Sequence, residues 1–262
     1  MDRSLFLSNL EAEHIHIVEP DRQLSEEDAA RTLVDFRRMA CGEPLQYVTG
    51  IAHFYGRQFR VTTDVLIPRQ ETELLCKDVL HESDYLCVRK GLWPNGSKIL
   101  DMCTGSGCIA WALALEIPGA QVSAVDISEG ALEVAASQNF KEEISSTRAQ
   151  KPMFLKADVL QGPEKCPEVS SAGKFEIIVG NPPYVMDSEK ALMRTNVLNH
   201  EPHLALFVPD EDPLKFYRAV ARWAAVLLKD DGTGIVEINE ALGKETAMMK
   251  RKVFSILIAA VI

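Results

Sequence analysis

Four consecutive residues, Asn181-Pro182-Pro183-Tyr184, follow the apolar run 175–179 and Gly180. The two prolines fix φ near about −65° and remove backbone donors, so this loop is stiff. The side-chain oxygen of Asn181 and the carbonyl of Pro182 can then point at one place. Such a pair of acceptors suits a planar NH₂ group, whose lone pair is delocalised and whose nitrogen is a poor nucleophile. Two acceptors can hold both N–H bonds and aim the lone pair at an electrophilic carbon. That is catalysis by orientation and electrostatics, and it requires no strong base in the attacking step. Tyr184 would pack against the flat face of the acceptor group. A carboxamide and the amino group of adenine both fit this description.

The donor side is suggested by Asp101-Met102-Cys103-Thr104-Gly105-Ser106-Gly107, which follows a short apolar strand and opens a helix. Gly105 and Gly107 allow a sharp turn and close approach of backbone to a ligand. The helix start offers unpaired N–H groups suited to an anion. Alone, the spacing also fits a dinucleotide fold. Two acids narrow it. Asp126 lies 19 residues beyond Gly107 at the end of the next strand, where a carboxylate can accept both ribose hydroxyls. Asp101 stands before the glycines, where it would face a pyrophosphate badly and a cationic amine well. An α-amino group such as that of S-adenosylmethionine is therefore favoured over a dinucleotide. Asp158, after the third strand, could take the adenine amino group.

These residues need a frame that gathers strand ends. From Lys98 onward the pattern is strand 98–100, turn, helix Cys108–Glu116, strand 121–125, helix 129–139, strand 152–155, strand 175–179, helix 213–228 and strand 234–238. Short apolar strands alternating with helices imply an α/β fold with a mostly parallel sheet covered on both faces, whose ligands bind beyond the carboxyl ends of the strands. Residues 53–67 read as a short hairpin and residues 71–81 as a helix. Residues 1–50 look helical, with Ser25 capping a helix that opens on acids. Residues 141–151 and 161–174 read as loops. Trp111, Trp223 and the apolar stripe of 213–228 read as core.

Composition sets outer limits. The 262 residues (29.1 kDa) are 47% hydrophobic and 25% charged, which is ordinary for a globular chain. A net charge of −10 argues against a face that neutralises many phosphates, and no apolar run approaches a membrane span. The longest, 255–262, reads as a buried segment. With no apolar stretch of signal-peptide length at the start, the protein is expected in the cytoplasm. Six scattered cysteines without a CxxC pair read as free thiols, mostly buried. His14-x-His16 and His200-x-x-His203 lack the companions of a metal site, so none is expected.

The chain resembles the HemK/PrmC family of protein-(glutamine-N5) methyltransferases from about Pro44 to about Gly243. The segments that carry the likeness are PLQYVTG (44–50), FYG (54–56), VLIPRQETE (65–73), Asp101 to Gly107, AVDIS (124–128), NPPYV (181–185), EPHLAL (201–206) and IVEI (235–238). NPPY alone is shared with adenine-N6 DNA methyltransferases, which form the alternative function; the 65–73 and 201–206 segments are far more selective.

The resemblance implies a class I, Rossmann-like S-adenosylmethionine-dependent methyltransferase fold that methylates the GGQ glutamine of class I peptide chain release factors. It implies that Cys103, Thr104, Gly105, Ser106 and Gly107 with Asp126 and Ile127 hold S-adenosylmethionine, Asp158 and Val159 neighbour the adenine, and Asn181, Pro182, Pro183 and Tyr184 hold the glutamine amide beside the cofactor. Arg69, Glu71 and Glu73 match a strip beside the active site. Residues 1–50 would dock the release factor, 51–70 would form a hairpin linker, and 71–262 the methyltransferase domain. A monomer that binds neither DNA nor membrane is expected, its acidic surface complementing a basic, RNA-facing partner. Three features depart from the pattern. Cys103 stands where the family has glycine, 208–213 replaces a glycine-rich stretch, and 254–262 does not read as the family's final antiparallel hairpin, which would leave a sheet edge open.

Overall fold

The computed structural model describes residues 25–90, 96–243, 245, 246 and, as backbone, 255–261. The expectations for residues 1–24, His14 and His16 included, lie outside the described residues. Ser25 precedes α1 (Glu26–Ala40), and α2 (Leu45–Thr49) follows, ending on Gly50 at φ 73°. Strands β1 (Ile51–Phe54) and β2 (Arg57–Arg60) make an antiparallel hairpin that turns at Tyr55-Gly56, both with positive φ. The predicted hairpin thus ends at Arg60, and 61–71 continues as irregular chain.

The main sheet has six strands, all parallel. They are β3 (Lys98–Met102), β4 (Gln121–Asp126), β5 (Met153–Lys156), β6 (Phe175–Gly180), β9 (Leu228–Ile238) and β10 (Ser255–Val261), in the order β10-β9-β6-β3-β4-β5. A small parallel pair, β7 (Val185–Met186) and β8 (Phe207–Val208), stands apart. The central strands are apolar without alternation because both faces are covered; every residue of β6 is buried.

One face packs on α3 (Thr72–Lys90) and α4 (Cys108–Glu116). There Ile99, Val122, Ala124, Ile177, Val179 and Ile235 meet Trp111, Leu113, Leu75 and Val79. The other face packs on α8 (Lys215–Leu227), where Leu100, Met102, Ile178 and Val236 meet Phe216, Val220 and Trp223. The hairpin closes the first face through a run of rings. Phe54 meets Phe59 at 6.0 Å, Phe59 meets Phe140 at 5.1 Å and Phe140 meets Trp111 at 5.2 Å between centroids. A smaller cluster joins Tyr47 of α2, Val61, Val65 and Ile67 to Ala131 and Val134 of α5 (Glu129–Ser137).

Helix α4 has the predicted bounds. Helix α3 runs nine residues past His81, because Ser83, Leu86 and Cys87 continue the buried stripe begun by Leu75, Cys76 and Val79 beyond an intervening polar stretch. The two predicted loops contain short helices, α6 (Lys141–Ser146) and α7 (Pro167–Ser171). In α7 a proline in the first turn supplies a preset φ, and Val169 alone is buried, too little apolar content to create a periodic signal. Strand β9 begins at Leu228 rather than Gly234. Phe175 pairs with Leu228 and Ile177 with Thr233, so 229–232 make an excursion inside the strand. A further difference concerns 255–261, which runs parallel to β9 and covers that edge.

Phe59 has no exposed surface. Phe59→Ala should cost about 3–5 kcal/mol in chemical denaturation through loss of burial and the cavity it leaves. The slope of the denaturation curve should be unchanged.

Candidate active site

The parallel register aligns three strand ends. Met102 pairs with Gly180, and Gly180 with Val236. The next residues along each strand, Cys103, Asn181 and Glu237, therefore stand side by side, the first two just past the ends of β3 and β6 and Glu237 still within β9. Gly180 permits this. A Cβ there would sit 2.5 Å from the Met102 carbonyl oxygen, so no larger residue fits the approach of β6 to β3. Gly107, at φ 79°, caps α4; its Cβ would sit 2.9 Å from that of Ala135.

Above these ends lies a cavity of about 360 Å³. Of the predicted residues, Cys103, Thr104, Gly105, Ser106, Asp126, Ile127, Asp158, Val159, Asn181 and Pro183 line it. Asp101, Gly107, Pro182 and Tyr184 do not form its wall. Arg69 lines it as well, whereas Glu71 and Glu73 do not; Glu73 instead accepts the Tyr55 amide at 2.8 Å.

The glycine turn is tied to its surroundings by side chains. Asp126 Oδ2 accepts the Gly105 N–H at 2.9 Å and Oδ1 the Ser128 N–H at 3.0 Å. Burial raises the Asp126 carboxyl above its ordinary range, opposed by these amides. Gln138 donates to the Ser106 carbonyl and exchanges two hydrogen bonds with the Arg60 backbone, so the hairpin is bonded to the turn through one side chain. Asp101 has no exposed surface. Its Oδ2 accepts the Thr104 hydroxyl at 2.6 Å, and Oδ1 has no hydrogen-bond partner among the described residues. Burial raises its pKa to about 7, against the pull of Thr104 and with a further push from Asp126. Cys103 takes φ 61°, the left-handed conformation that favours glycine. Burial also raises the thiols of Cys103 and, to about 12, Cys108, so neither is a ready nucleophile.

At the opposite wall Asn181 Nδ2 donates to Thr72 Oγ1 at 3.2 Å. Thr72 Oγ1 donates to Glu237 Oε2 at 2.7 Å, and the Tyr184 hydroxyl to Glu237 Oε1 at 2.9 Å. Tyr184 is thus turned toward Glu237. Glu237 is fully buried, and burial raises its carboxyl against the pull of Thr72, Tyr184 and Asn181.

The mouth is tied by an ion pair. Arg69 donates to Glu201 Oε1 at 2.6 Å, and Glu201 Oε2 accepts the Ile67 N–H at 3.2 Å. Two of the three indoles, those of Trp111 and Trp223, brace the frame of the site. Trp111 Nε1 donates to the Ala135 carbonyl and Trp223 Nε1 to that of Val159, each at 2.9 Å. His203 is exposed and bonds to the Leu198 carbonyl; no group of three metal-ligating side chains gathers among the described residues. Sequence reasoning gave no role to Thr72, Gln138 or Glu237, although Thr72 and Glu237 fall within two of the segments that carry the resemblance. For Glu237 a signal existed: a carboxylate within the apolar strand 235–238.

The Methyltransferase small domain family matches residues 83–204. The release factor glutamine methyltransferase of Bacteroides thetaiotaomicron is 43% identical over 212 residues, covering 81% of this chain and 69% of that protein. The Flavobacterium psychrophilum protein of the same name is 41% identical, covering 80% and 68%. In the Rickettsia felis bifunctional methyltransferase, 35% identical, the match covers 85% of this chain and 44% of that longer protein.

The parallel sheet, glycine turn and following strand-end acid define a class I S-adenosylmethionine-dependent methyltransferase fold. Within it, the chain belongs to the release factor glutamine methyltransferase family.

The buried Asp101 has a sign-definite consequence. Its folded pKa lies above the value of about 3.9 in an unfolded chain. Between those values the native state holds a proton that the unfolded state has lost, so stability falls as pH rises from about 4 to above 7. Asp101→Asn should therefore be more stable than the parent at pH 8, by a few kcal/mol at most, with the difference vanishing near pH 4. Denaturation midpoints across that range test it.

Proposed function

We propose that the protein transfers the methyl group of S-adenosylmethionine to the side-chain nitrogen (N5) of the glutamine in the GGQ motif of class I peptide chain release factors. Family membership supports the substrate, and one geometric observation carries the chemistry. Asn181 spends its N–H₂ on Thr72, which leaves Oδ1 as an acceptor at a wall one register step from the glycine turn.

The residues fit S-adenosylmethionine. The unpartnered Asp101 Oδ1 suits an ammonium group, and Asp126 keeps lone pairs for ribose hydroxyls beyond the two amides it holds. Asp158 and Val159 line the same cavity beside Leu160 and suit an adenine edge. Bound S-adenosylmethionine supplies an electrophilic methyl group on a sulfonium. The chain's own contribution is to hold and orient. Asn181 Oδ1, at the cavity wall, takes one N–H of the substrate amide; the Pro182 carbonyl, set behind that wall, is assigned the second and requires the substrate to reach past the described cavity lining, while the buried prolines keep the loop from reorganising. Catalysis then needs no residue to remove a proton before attack. The two remaining readings assign release-factor docking to the helices before Gly50 and a linker role to 51–70.

The test offers labelled S-adenosylmethionine with either a GGQ-containing release factor or adenine-bearing DNA. Label should enter the release factor; label in DNA alone would overturn the proposal in favour of an adenine-N6 methyltransferase. Asn181→Ala should lower turnover by at least about 100-fold, the scale of losing one oriented hydrogen-bonding group at a reacting centre, while cofactor affinity measured by calorimetry is largely kept. Asp126→Ala should do the reverse, weakening cofactor binding by about tenfold or more through lost charge-assisted hydrogen bonds.

A further inference from the structure

We infer that Thr72 and Glu237 are positioning residues that fix the rotational sense of the Asn181 amide, and so make the site select a carboxamide over a carboxylate. This rests on the N5-glutamine reading and deepens it.

An asparagine amide presents an oxygen and an N–H₂ of nearly equal size, so shape alone does not decide which faces the cavity. Hydrogen-bond polarity does. Each Glu237 carboxyl oxygen accepts one hydroxyl: Oε2 takes the single hydroxyl proton of Thr72 at 2.7 Å and Oε1 that of Tyr184 at 2.9 Å. With its proton committed, the Thr72 oxygen can only accept from Asn181, and the amide group that meets it at 3.2 Å must be the nitrogen. The oxygen is left for the cavity.

A reversed amide would set two acceptors against each other at Thr72. It would also present N–H₂ to a substrate N–H₂. The parts sit on packed elements: Thr72 is the buried first residue of α3, Glu237 is the next-to-last residue of β9 and has no exposed surface, and Asn181 lies beside it through the Gly180–Val236 pairing. The same polarity disfavours a substrate carboxylate, which would meet the Asn181 oxygen with the Glu237 charge behind it.

The experiment uses the full chain with a release factor and labelled S-adenosylmethionine, comparing Thr72→Val, Thr72→Ser and Glu237→Gln with the parent. Expected are a fall in kcat of about tenfold for Thr72→Val, recovery of most of it in Thr72→Ser, and a fall of at least threefold for Glu237→Gln. Cofactor affinity should stay within threefold throughout. A release factor carrying glutamate in place of the GGQ glutamine supplies a readout that loss of packing would not move. It should inhibit Thr72→Val and Glu237→Gln at least fivefold more strongly than the parent.

Parental kcat in both variants overturns the inference, as does unchanged inhibition by the glutamate form. Loss of kcat matched by equal loss of cofactor affinity and not recovered in Thr72→Ser assigns a structural role and overturns it too. If Thr72→Val does not fold, Glu237→Gln and Thr72→Ser decide by the same criteria. A parent protein that leaves the release factor unlabelled overturns the N5-glutamine reading itself, and the inference with it.

Discussion

The register of three neighbouring parallel strands governs this molecule. Because Met102, Gly180 and Val236 share one rung, the residues that follow them are delivered to a common edge, above which the cavity lies. The alignment depends on close contact between β3 and β6, which tolerates no side chain at Gly180. Loops beyond a sheet are ordinarily the pliable part of a domain. Here they begin from fixed points and are stiffened at once, by two prolines on one side and by a carboxylate gripping two backbone amides on the other.

The same edge holds the fold's most unfavourable burials. Asp101 and Glu237 both have carboxyls that burial pushes upward, and they are managed differently. Glu237 is compensated by hydroxyl donors, and its cost is met by local order. Asp101 Oδ1 has no hydrogen-bond partner among the described residues, a costly burial for a carboxyl oxygen. The contrast separates a carboxyl tied into the scaffold by two hydroxyls from one bonded through a single oxygen.

Much of this was legible in the chain. The strand–glycine–helix unit from Lys98 to Glu116 was readable because an apolar run, a glycine pair and a Pro118-Gly119 stop leave one local solution. NPPY after a buried strand was placed at the strand-end rim, and Asn181 and Pro183 do line the cavity there, since prolines and a buried parallel strand each constrain where the chain can go. What was not readable depends on tertiary neighbours. Helices α6 and α7 bury too few residues to show a period, and the excursion at 229–232 exists only in relation to β6. Thr72, about a hundred residues from Asn181 in sequence, carries no local mark of its partner. Cys103 illustrates a converse case. Its resemblance-based mismatch with glycine looked like a mere substitution, and the backbone there does adopt the conformation glycine favours.

The indole bonds carry a practical consequence. Trp111 and Trp223 are both buried in the core, yet each N–H is fastened to a backbone carbonyl near the cavity, one in α5 and the other in the Asp158–Leu160 loop. Any event that shifts those carbonyls alters the polarity felt by a fluorophore already built into the chain. With Trp93 replaced so that these two indoles alone emit, tryptophan fluorescence thus gives a label-free readout of any movement of those two carbonyls.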